Sequence, residues 1–362
     1  MYANHKLRLR QSVGIVQGND GIVDFFKANV RQSLVLRTRF SSMAQLLSLF
    51  NGERSIEEVS TLFDGDIDVQ QLNSLASFLK REFVLIEQDV PYPIAVLENR
   101  FRLVNLLEDY FHSTGEVLKA IDDLHHKTVV IIGMGAVGSF IATYLAKTGV
   151  GKLILVDNDS VEISNLHRQY FFEDNIRKNK ASALKVEIKN VNPEIAVNVI
   201  SDRLDIAFFK RNNLPDHLDL IVNCADEPSV DQTSRIVAEY SMNESIPHII
   251  GGGYNLHLTL IGKTIIPYKT ACFKCFEVAL SKINSKDLKG VKKLHRENRK
   301  LGSFSPLSGL AANLAALDAF KVLIDKTDTL QQTNRRIEFN LNTHNFNVIN
   351  IERNPNCEWC GG

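Results

Sequence analysis

The feature that most constrains this chain is a run of five apolar or β-branched residues that leads into a glycine-rich turn. Thr128 to Ile132 reads Thr-Val-Val-Ile-Ile and is followed by Gly133-Met-Gly135-Ala-Val-Gly138. Such a run predicts a strand that is buried on both faces, as in a parallel sheet covered by helices. The residues after the turn predict a helix, whose N-terminal amides attract anions. The sequence therefore predicts a strand–turn–helix unit with a phosphate site.

Strands and helices alternate along the chain after this unit. The later predicted strands are Leu153–Val156, Ala196–Ile200 and Leu218–Asn223. This alternation predicts an α/β domain with a mostly parallel sheet. Asp157 follows the second strand at the distance expected of a carboxylate that binds ribose hydroxyls. On these residues alone, an NAD-dependent dehydrogenase is the first interpretation, and a similar turn without a nucleotide is the alternative.

The first 90 residues predict a separate and smaller domain. Alternating apolar residues and the turn at 18–21 indicate strands, three short helices follow, and Phe83–Ile86 indicates a closing strand. Pro91 and Pro93 mark a linker, and residues 99–124 have a helical pattern. We therefore predict a small winged-helix-like α+β domain over residues 1–90 and the α/β domain over residues 91–362.

Charge and hydropathy exclude several classes of partner. The chain has 362 residues, with 42 basic and 42 acidic side chains and a formal net charge of zero. This balance predicts neither a nucleic acid nor a membrane as the main partner. No apolar run approaches the roughly 20 residues of a membrane helix, and Met1–Arg10 lacks the apolar core of a signal peptide. We expect a cytoplasmic protein.

Four of the five cysteines form two Cys-x-x-Cys pairs. Two such pairs place four thiolates around one tetrahedral ion, which predicts a structural zinc site that ties the C-terminal tail to the domain. A redox role is the alternative, but neither pair begins a thioredoxin-like βαβ unit. We expect the fifth, Cys224, to be a buried strand residue. The predicted zinc ligands are Cys272, Cys275, Cys357 and Cys360.

Further polar motifs follow the glycine turn in a fixed order. They are Asp157-Asn-Asp159, Asn165-Leu-His-Arg168-Gln169, Arg177-Lys-Asn-Lys180 and Asn223-Cys-Ala-Asp226. In this order, over residues 99–362, they resemble the ThiF/MoeB family of adenylating enzymes, relatives of the ubiquitin-activating enzymes. The resemblance implies a Rossmann-like ThiF fold with a zinc-bound tail. It also implies an enzyme in which a carboxylate attacks the α-phosphate of ATP.

The resemblance also implies roles for individual residues. Arg168 and Lys180 would contact the phosphates, Asn165 would help to orient them, and Asp226 would hold Mg²⁺. The alternative for Arg168 and Lys180 is that they are ordinary surface charges. The full set implied to bind ATP is Gly133, Gly135, Gly138, Asp157, Asp159, Asn165, Arg168, Gln169, Lys180 and Asp226.

Three arginines relate to the wider family pattern. Family members often supply an arginine from the partner subunit, and Arg102 is the best match, with Arg100 second. The resemblance therefore implies a homodimer with composite sites. Arg177 stands where the family commonly has glycine. The segment 281–302, where relatives carry a nucleophilic cysteine, has none and predicts a basic loop that is either a solvated surface or a flap.

The N-terminal domain suggests the substrate. A small domain joined to a ThiF-like body resembles the architecture of the microcin-C adenylating enzymes. The first 90 residues also resemble the PqqD-like elements that recognise leader peptides. These elements bind a precursor peptide as an added strand. A dimerisation arm is the alternative. Intact ATP residues without a nucleophilic cysteine resemble enzymes of the pantocin A type, which implies that glutamate side chains are activated for dehydrative cyclisation.

Two other functions compete with this interpretation. One is MoeB-like adenylation of a sulfur-carrier protein, which the N-terminal domain disfavours. The other is a peptide-docking subunit without catalysis, which the set Arg168, Lys180 and Asp226 disfavours.

Overall fold

A computed structural model describes residues 5–18, 21–38, 42–63, 67–255, 257–287 and 302–361. The chain divides into two compact units, residues 1–122 and 123–362. Within the described ranges, no helix is both long and apolar enough to span a membrane. Because the first unit ends at residue 122, it extends beyond the linker predicted at Pro91 and Pro93. The assignment of a recognition domain to residues 1–90 stays a prediction.

The first unit combines antiparallel strands with helices. The strands are β1 (Lys6–Leu9), β2 (Val13–Gln17), β3 (Ile22–Lys27), β4 (Gln32–Arg37), β5 (Asn51–Ser55) and β6 (Leu85–Glu87). They pair as two three-stranded sheets, β2–β3–β4 and β5–β1–β6. The helices are α1 (Met43–Leu49), α2 (Ile56–Leu62), α3 (Val69–Arg81), α4 (Ile94–Glu108) and α5 (Thr114–His126), which runs into the second unit.

The predicted helix over residues 99–124 is two helices in the structure. The Asp89 carboxylate accepts hydrogen bonds from the Gly115 amide at 2.7 Å and the Thr114 hydroxyl at 3.0 Å. It therefore satisfies one amide at the start of α5, as an N-cap does. Buried Arg10 donates to the carbonyls of Glu108 and Phe111, which joins the end of α4 to β1 within the first unit.

The second unit is an α/β domain. The strands are β7 (Thr128–Ile132), β8 (Lys152–Val156), β9 (Ala196–Ile200), β10 (Leu220–Asn223), β11 (His248–Ile250), β12 (Gly253–Asn255), β13 (Leu258–Leu260), β14 (Lys263–Ile265), β15 (Arg335–Asn340) and β16 (Phe346–Asn350). The main sheet has the order β14–β11–β10–β7–β8–β9, in which β14 alone is antiparallel to its neighbour. Strands β12–β13–β15–β16 form an antiparallel sheet. The helices are α6 (Gly138–Thr148), α7 (Lys180–Val191), α8 (Phe208–Arg211), α9 (Val230–Asn243), α10 (Phe273–Asp287) and α11 (Ser305–Leu323).

The four predicted parallel strands are confirmed to within two residues. The apolar runs of β7, β8 and β10 are buried, as expected for a sheet covered on both faces, whereas β9, at the edge of the sheet, is mostly exposed or half-buried. The predicted loop over 281–302 is wrong at its start, because α10 continues to Asp287. Residues 288–301 of that segment lie outside the described residues.

Candidate functional site

The candidate site lies at the carboxyl edge of the main sheet. The strand order reverses between β7 and β10, since β8 and β9 lie on one side of β7 and β10 and β11 on the other. Ligands bind in open α/β sheets at such a reversal, outside the carboxyl ends of the strands. A Cβ on Gly133, after β7, would lie 2.7 Å from the Ala225 amide nitrogen, after β10. The glycine turn and the Asp226 segment therefore line the same crevice.

The three glycines of the turn have different surroundings. Gly133 has a φ of +89°, a backbone conformation that residues other than glycine rarely adopt. A Cβ on Gly138 would come within 2.0 Å of the Gly133 carbonyl oxygen, so α6 must start directly against the turn. A Cβ on Gly135 would meet nothing within 4 Å. The open side of the turn is therefore at Gly135, where a phosphate can approach the backbone.

Asp157 holds the turn in place. Its Oδ2 accepts a hydrogen bond from the Met134 amide at 2.6 Å, and its Oδ1 accepts one from the Asp159 amide at 2.8 Å. Burial raises the pKa of this carboxyl group, against the opposing effect of these bonds and of Lys180. The carboxylate thus anchors the turn to the end of β8, and its ribose contact stays a prediction.

Lys180 lies beside the same segment. Its Nζ is 2.9 Å from Oδ2 of Asp159, and its amide donates to the Asp159 carbonyl at 2.8 Å. Asn179 was not among the predicted site residues; its side chain accepts from the Ser182 amide and donates to the Asp157 carbonyl at 2.9 Å. Its position before the first residue of α7 was the available signal, because asparagine is a favoured N-cap.

Three predicted residues lie in the connection between β8 and α7. Asn165 is buried, and its side chain accepts from the Glu162 amide at 3.0 Å. Gln169 is buried, and its Oε1 has no hydrogen-bond partner among the described residues. Arg168 is half-buried, and its guanidinium donates to the Ser164 carbonyl at 2.7 Å. The structure brings Lys180 together with Asp159, whereas it shows no contact between Arg168 and Lys180.

Asp226 and Cys224 follow β10. The prediction that Cys224 is a buried strand residue is therefore wrong, because the strand ends at Asn223 and Cys224 is half-buried. Asp226 is exposed three residues after the strand ends at Asn223, where a carboxylate is accessible to a cation. Burial, with a smaller effect of Asp226, raises the pKa of the Cys224 thiol to about 12. A thiol with this pKa stays protonated at neutral pH, so Cys224 is a poor nucleophile.

The two candidate arginines belong to the first unit. Arg102 is exposed on α4, and Arg100 has a non-helical φ of −137° within the same helix. Their predicted role in a partner's site stays a prediction.

The four predicted zinc ligands form one cluster. Their Sγ atoms all lie within 4.8 Å of one another. Cys272 is 3.5 Å from Cys357, and Cys275 is 3.5 Å from Cys360. A disulfide needs about 2 Å, whereas thiolates on one tetrahedral zinc ion lie about 3.8 Å apart. The geometry thus fits a bound metal ion, and the Asn354 amide points at Cys275 Sγ from 3.4 Å.

The comparison with protein families agrees with this arrangement. The model of the ThiF family matches residues 111–359, more than half of the chain. The chain belongs to the ThiF family. Its fold is therefore the mixed α/β fold of that family, preceded by a small sheet-containing unit.

Two curated proteins show which ThiF-family members the chain is similar to. The molybdopterin-synthase adenylyltransferase of Escherichia coli K12 is 26% identical over 245 residues, which cover 66% of this chain and 88% of that protein. The ubiquitin-like modifier-activating enzyme 5 of Caenorhabditis briggsae is 26% identical over 255 residues, or 67% of this chain. The chain spans only 56% of the length of the latter protein.

Two solved structures match almost the whole chain, including the first unit. MccB of E. coli superposes with a TM-score of 0.79 at 25% identity, over 98% of this chain and 97% of MccB. PaaA superposes with a TM-score of 0.70 at 20% identity, over 95% of this chain and 100% of PaaA. The ThiF-family resemblance of the microcin-C type, expected from the sequence, is confirmed.

Proposed function

We propose that this chain is an ATP-dependent adenylating enzyme that activates carboxylates of a ribosomally made precursor peptide. The observation that carries the proposal is the match to MccB over 98% of this chain, which includes the first unit. MccB is a microcin C7 biosynthetic enzyme that has been crystallised with ATP and with N-formylated MccA. The adenylyltransferase of the molybdopterin pathway covers only 66% of the chain.

The crevice supports ATP binding. In the proposal, the phosphates lie on the open side of Gly135 at the start of α6, and Lys180 and Arg168 neutralise their charge. Asp226 would hold Mg²⁺, which would neutralise negative charge that develops on the phosphates. The carboxylate oxygen of the peptide attacks the α-phosphorus, the bond to the bridging oxygen breaks, and pyrophosphate leaves.

A peptide nitrogen then completes the reaction. It attacks the acyl carbon, AMP leaves with the carboxylate oxygen, and the nitrogen loses its proton to solvent, so the peptide loses one water. Both groups belong to one peptide, so the attack is intramolecular and needs no thioester. The raised pKa of the Cys224 thiol, which keeps the thiol protonated, supports this direct route. We propose glutamate side chains as the activated groups.

The first unit is proposed to bind the leader part of the peptide. Its sheet β2–β3–β4 ends at β4, whose backbone pairs with β3 on one side within the described residues. A strand edge of this kind accepts an extended peptide through main-chain hydrogen bonds. We further propose that the protein is a homodimer in which Arg102 reaches the partner's site, and that the cysteine cluster holds structural zinc.

The test is to incubate the full chain with ATP, Mg²⁺ and a candidate precursor peptide while nucleotide products and peptide mass are followed. AMP, pyrophosphate and loss of water from the peptide are expected. Lys180→Met and Asp226→Asn should each lower the rate by a factor of about 100 or more. If AMP stays attached to the peptide, the reaction is nucleotidylation of the peptide and not cyclisation.

The two alternative functions give different results in the same assay. AMP formation that depends on a carrier protein ending in Gly-Gly, and not on the peptide, would support sulfur-carrier activation instead. Peptide binding without ATP cleavage would support a docking subunit. Either result would overturn the proposal.

A further inference from the structure

A lysine lies on the same sheet edge as the candidate ATP site. Lys263 begins β14 in register with Ile250, the last residue of β11, which is in turn in register with Asn223, the last residue of β10. These three residues form one row across the carboxyl edge. Adjacent strands are about 4.8 Å apart, so Lys263 lies about 10 Å along the sheet from the strand that precedes Asp226.

The row points towards α9 and α10. In-register neighbours direct their side chains to the same face of a sheet, and the Asn223 amide contacts the Thr233 hydroxyl of α9 at 3.4 Å. The Lys263 Nζ accordingly lies 4.6 Å from the ring centroid of Phe276 and 5.8 Å from that of Phe273, both on α10. The two rings hold the ammonium group at the edge of the sheet through cation–π contacts.

Lys263 has no carboxylate partner among the described residues. Burial lowers its pKa to about 8, Arg336 contributes in the same direction, and Asp231 opposes them. The neighbouring guanidinium groups are neutralised, because Arg336 pairs with Glu338 at 2.7 Å and Arg235 pairs with Glu277. Lys263 is thus a partly desolvated cation that Asp231 attracts without forming a salt bridge, an arrangement that an incoming anion would stabilise.

We propose that Lys263 binds the carboxylate that the enzyme adenylates. The inference rests on the proposed function and narrows its substrate to a peptide with an acidic group at the acceptor position. Asp226 lies between Lys263 and the glycine turn in the strand order, so the acceptor would enter from the side opposite the phosphates. A cation there offsets the repulsion between the carboxylate and the α-phosphate, and it disfavours the uncharged amide of glutamine.

The first test measures access to the amine and does not need turnover. The protein is treated briefly with trinitrobenzenesulfonate, and modification of each lysine is followed by mass spectrometry. Millimolar acetyl-Ala-Glu-Ala-amide should slow modification of Lys263 at least about threefold, whereas the matched glutamine peptide and ATP should not. Lys269, exposed in the connection after β14, is the internal control and should react equally in every case. Equal rates at Lys263, or protection by ATP alone, would overturn the inference.

The second test uses the peptide that supports AMP formation. Lys263→Met, which keeps the chain length, should raise the KM for the peptide about tenfold or more and leave the KM for ATP unchanged. Lys263→Arg should restore much of the loss, and Lys269→Met should match the wild type. AMP formation by the wild type with an unchanged peptide KM in Lys263→Met would reject this inference alone. No AMP formation by the wild type would reject the proposed function, and the labelling result would still decide the role of Lys263.

Discussion

A Cβ atom on Gly138 would lie 2.0 Å from the carbonyl oxygen of Gly133. No side-chain rotation relieves this contact, because both partners are main-chain or Cβ atoms. We expect Gly138→Ala to lower the free energy of unfolding by about 2 kcal/mol or more, as overpacking does. Urea denaturation followed by circular dichroism measures the effect.

Gly135 provides the matched control in the same turn. A Cβ there meets nothing within 4 Å, so Gly135→Ala should change the free energy of unfolding by less than about 0.5 kcal/mol. The same methyl group would occupy the side from which a phosphate approaches, and ATP affinity measured by calorimetry should fall. If Gly138→Ala is as stable as the wild type, α6 does not approach the turn as closely as this distance indicates.

Zinc removal should destabilise the second unit. Purified protein should contain one zinc ion per chain by elemental analysis, and Cys357→Ser should lose it together with several degrees of melting temperature. Cys224→Ser lies outside the cluster and should retain the metal. Full stability of Cys357→Ser in the presence of a chelator would contradict a structural role for the ion.

His248 should make stability depend on pH. Burial lowers its pKa to about 4, and its Nε2 has no hydrogen-bond partner among the described residues. The unfolded chain therefore binds the extra proton first as the pH falls below about 6.5, and stability decreases with decreasing pH. Between pH 7 and pH 5 the loss should be about 2 kcal/mol.

The matched measurement compares the wild type with His248→Leu by urea denaturation at both pH values. Carboxylates titrate in both proteins, so the difference between them isolates the histidine. An equal loss of stability in the two proteins would show that His248 takes up its proton without unfolding.

The backbone conformation at Arg177 accounts for the glycine that the family commonly has at this position. Its φ is +70°, a conformation that glycine adopts without strain. We expect Arg177→Gly to raise the free energy of unfolding by about 0.5–1 kcal/mol, because left-handed backbone costs other residues about 1–2 kcal/mol and the added chain entropy of glycine offsets part of the gain. Lys178→Gly, one residue on at ordinary φ, should lower it by a similar amount. Destabilisation by both variants would mean that the Arg177 side chain stabilises the fold.

Local patterns predicted much of the fold. Apolar runs identified β7 to β10. In the structure, the Ser55 hydroxyl and the Glu58 carboxylate form a reciprocal cap at the start of α2. Strand β5 was missed because its sequence, Asn51 to Ser55, has little strand propensity. It forms because β1 supplies the partner backbone.

The sequence by itself determined the glycine turn, the order of the polar motifs and the four cysteines that form one cluster, because each depends on residue type at short spacing. Only the tertiary structure decided that Lys263 lies in one row with Ile250 and Asn223. That row depends on an antiparallel strand added beside β11, a pairing for which the local sequence carries no signal. Burial against α10 then sets the charge environment of Lys263, and burial is a property of the packed fold.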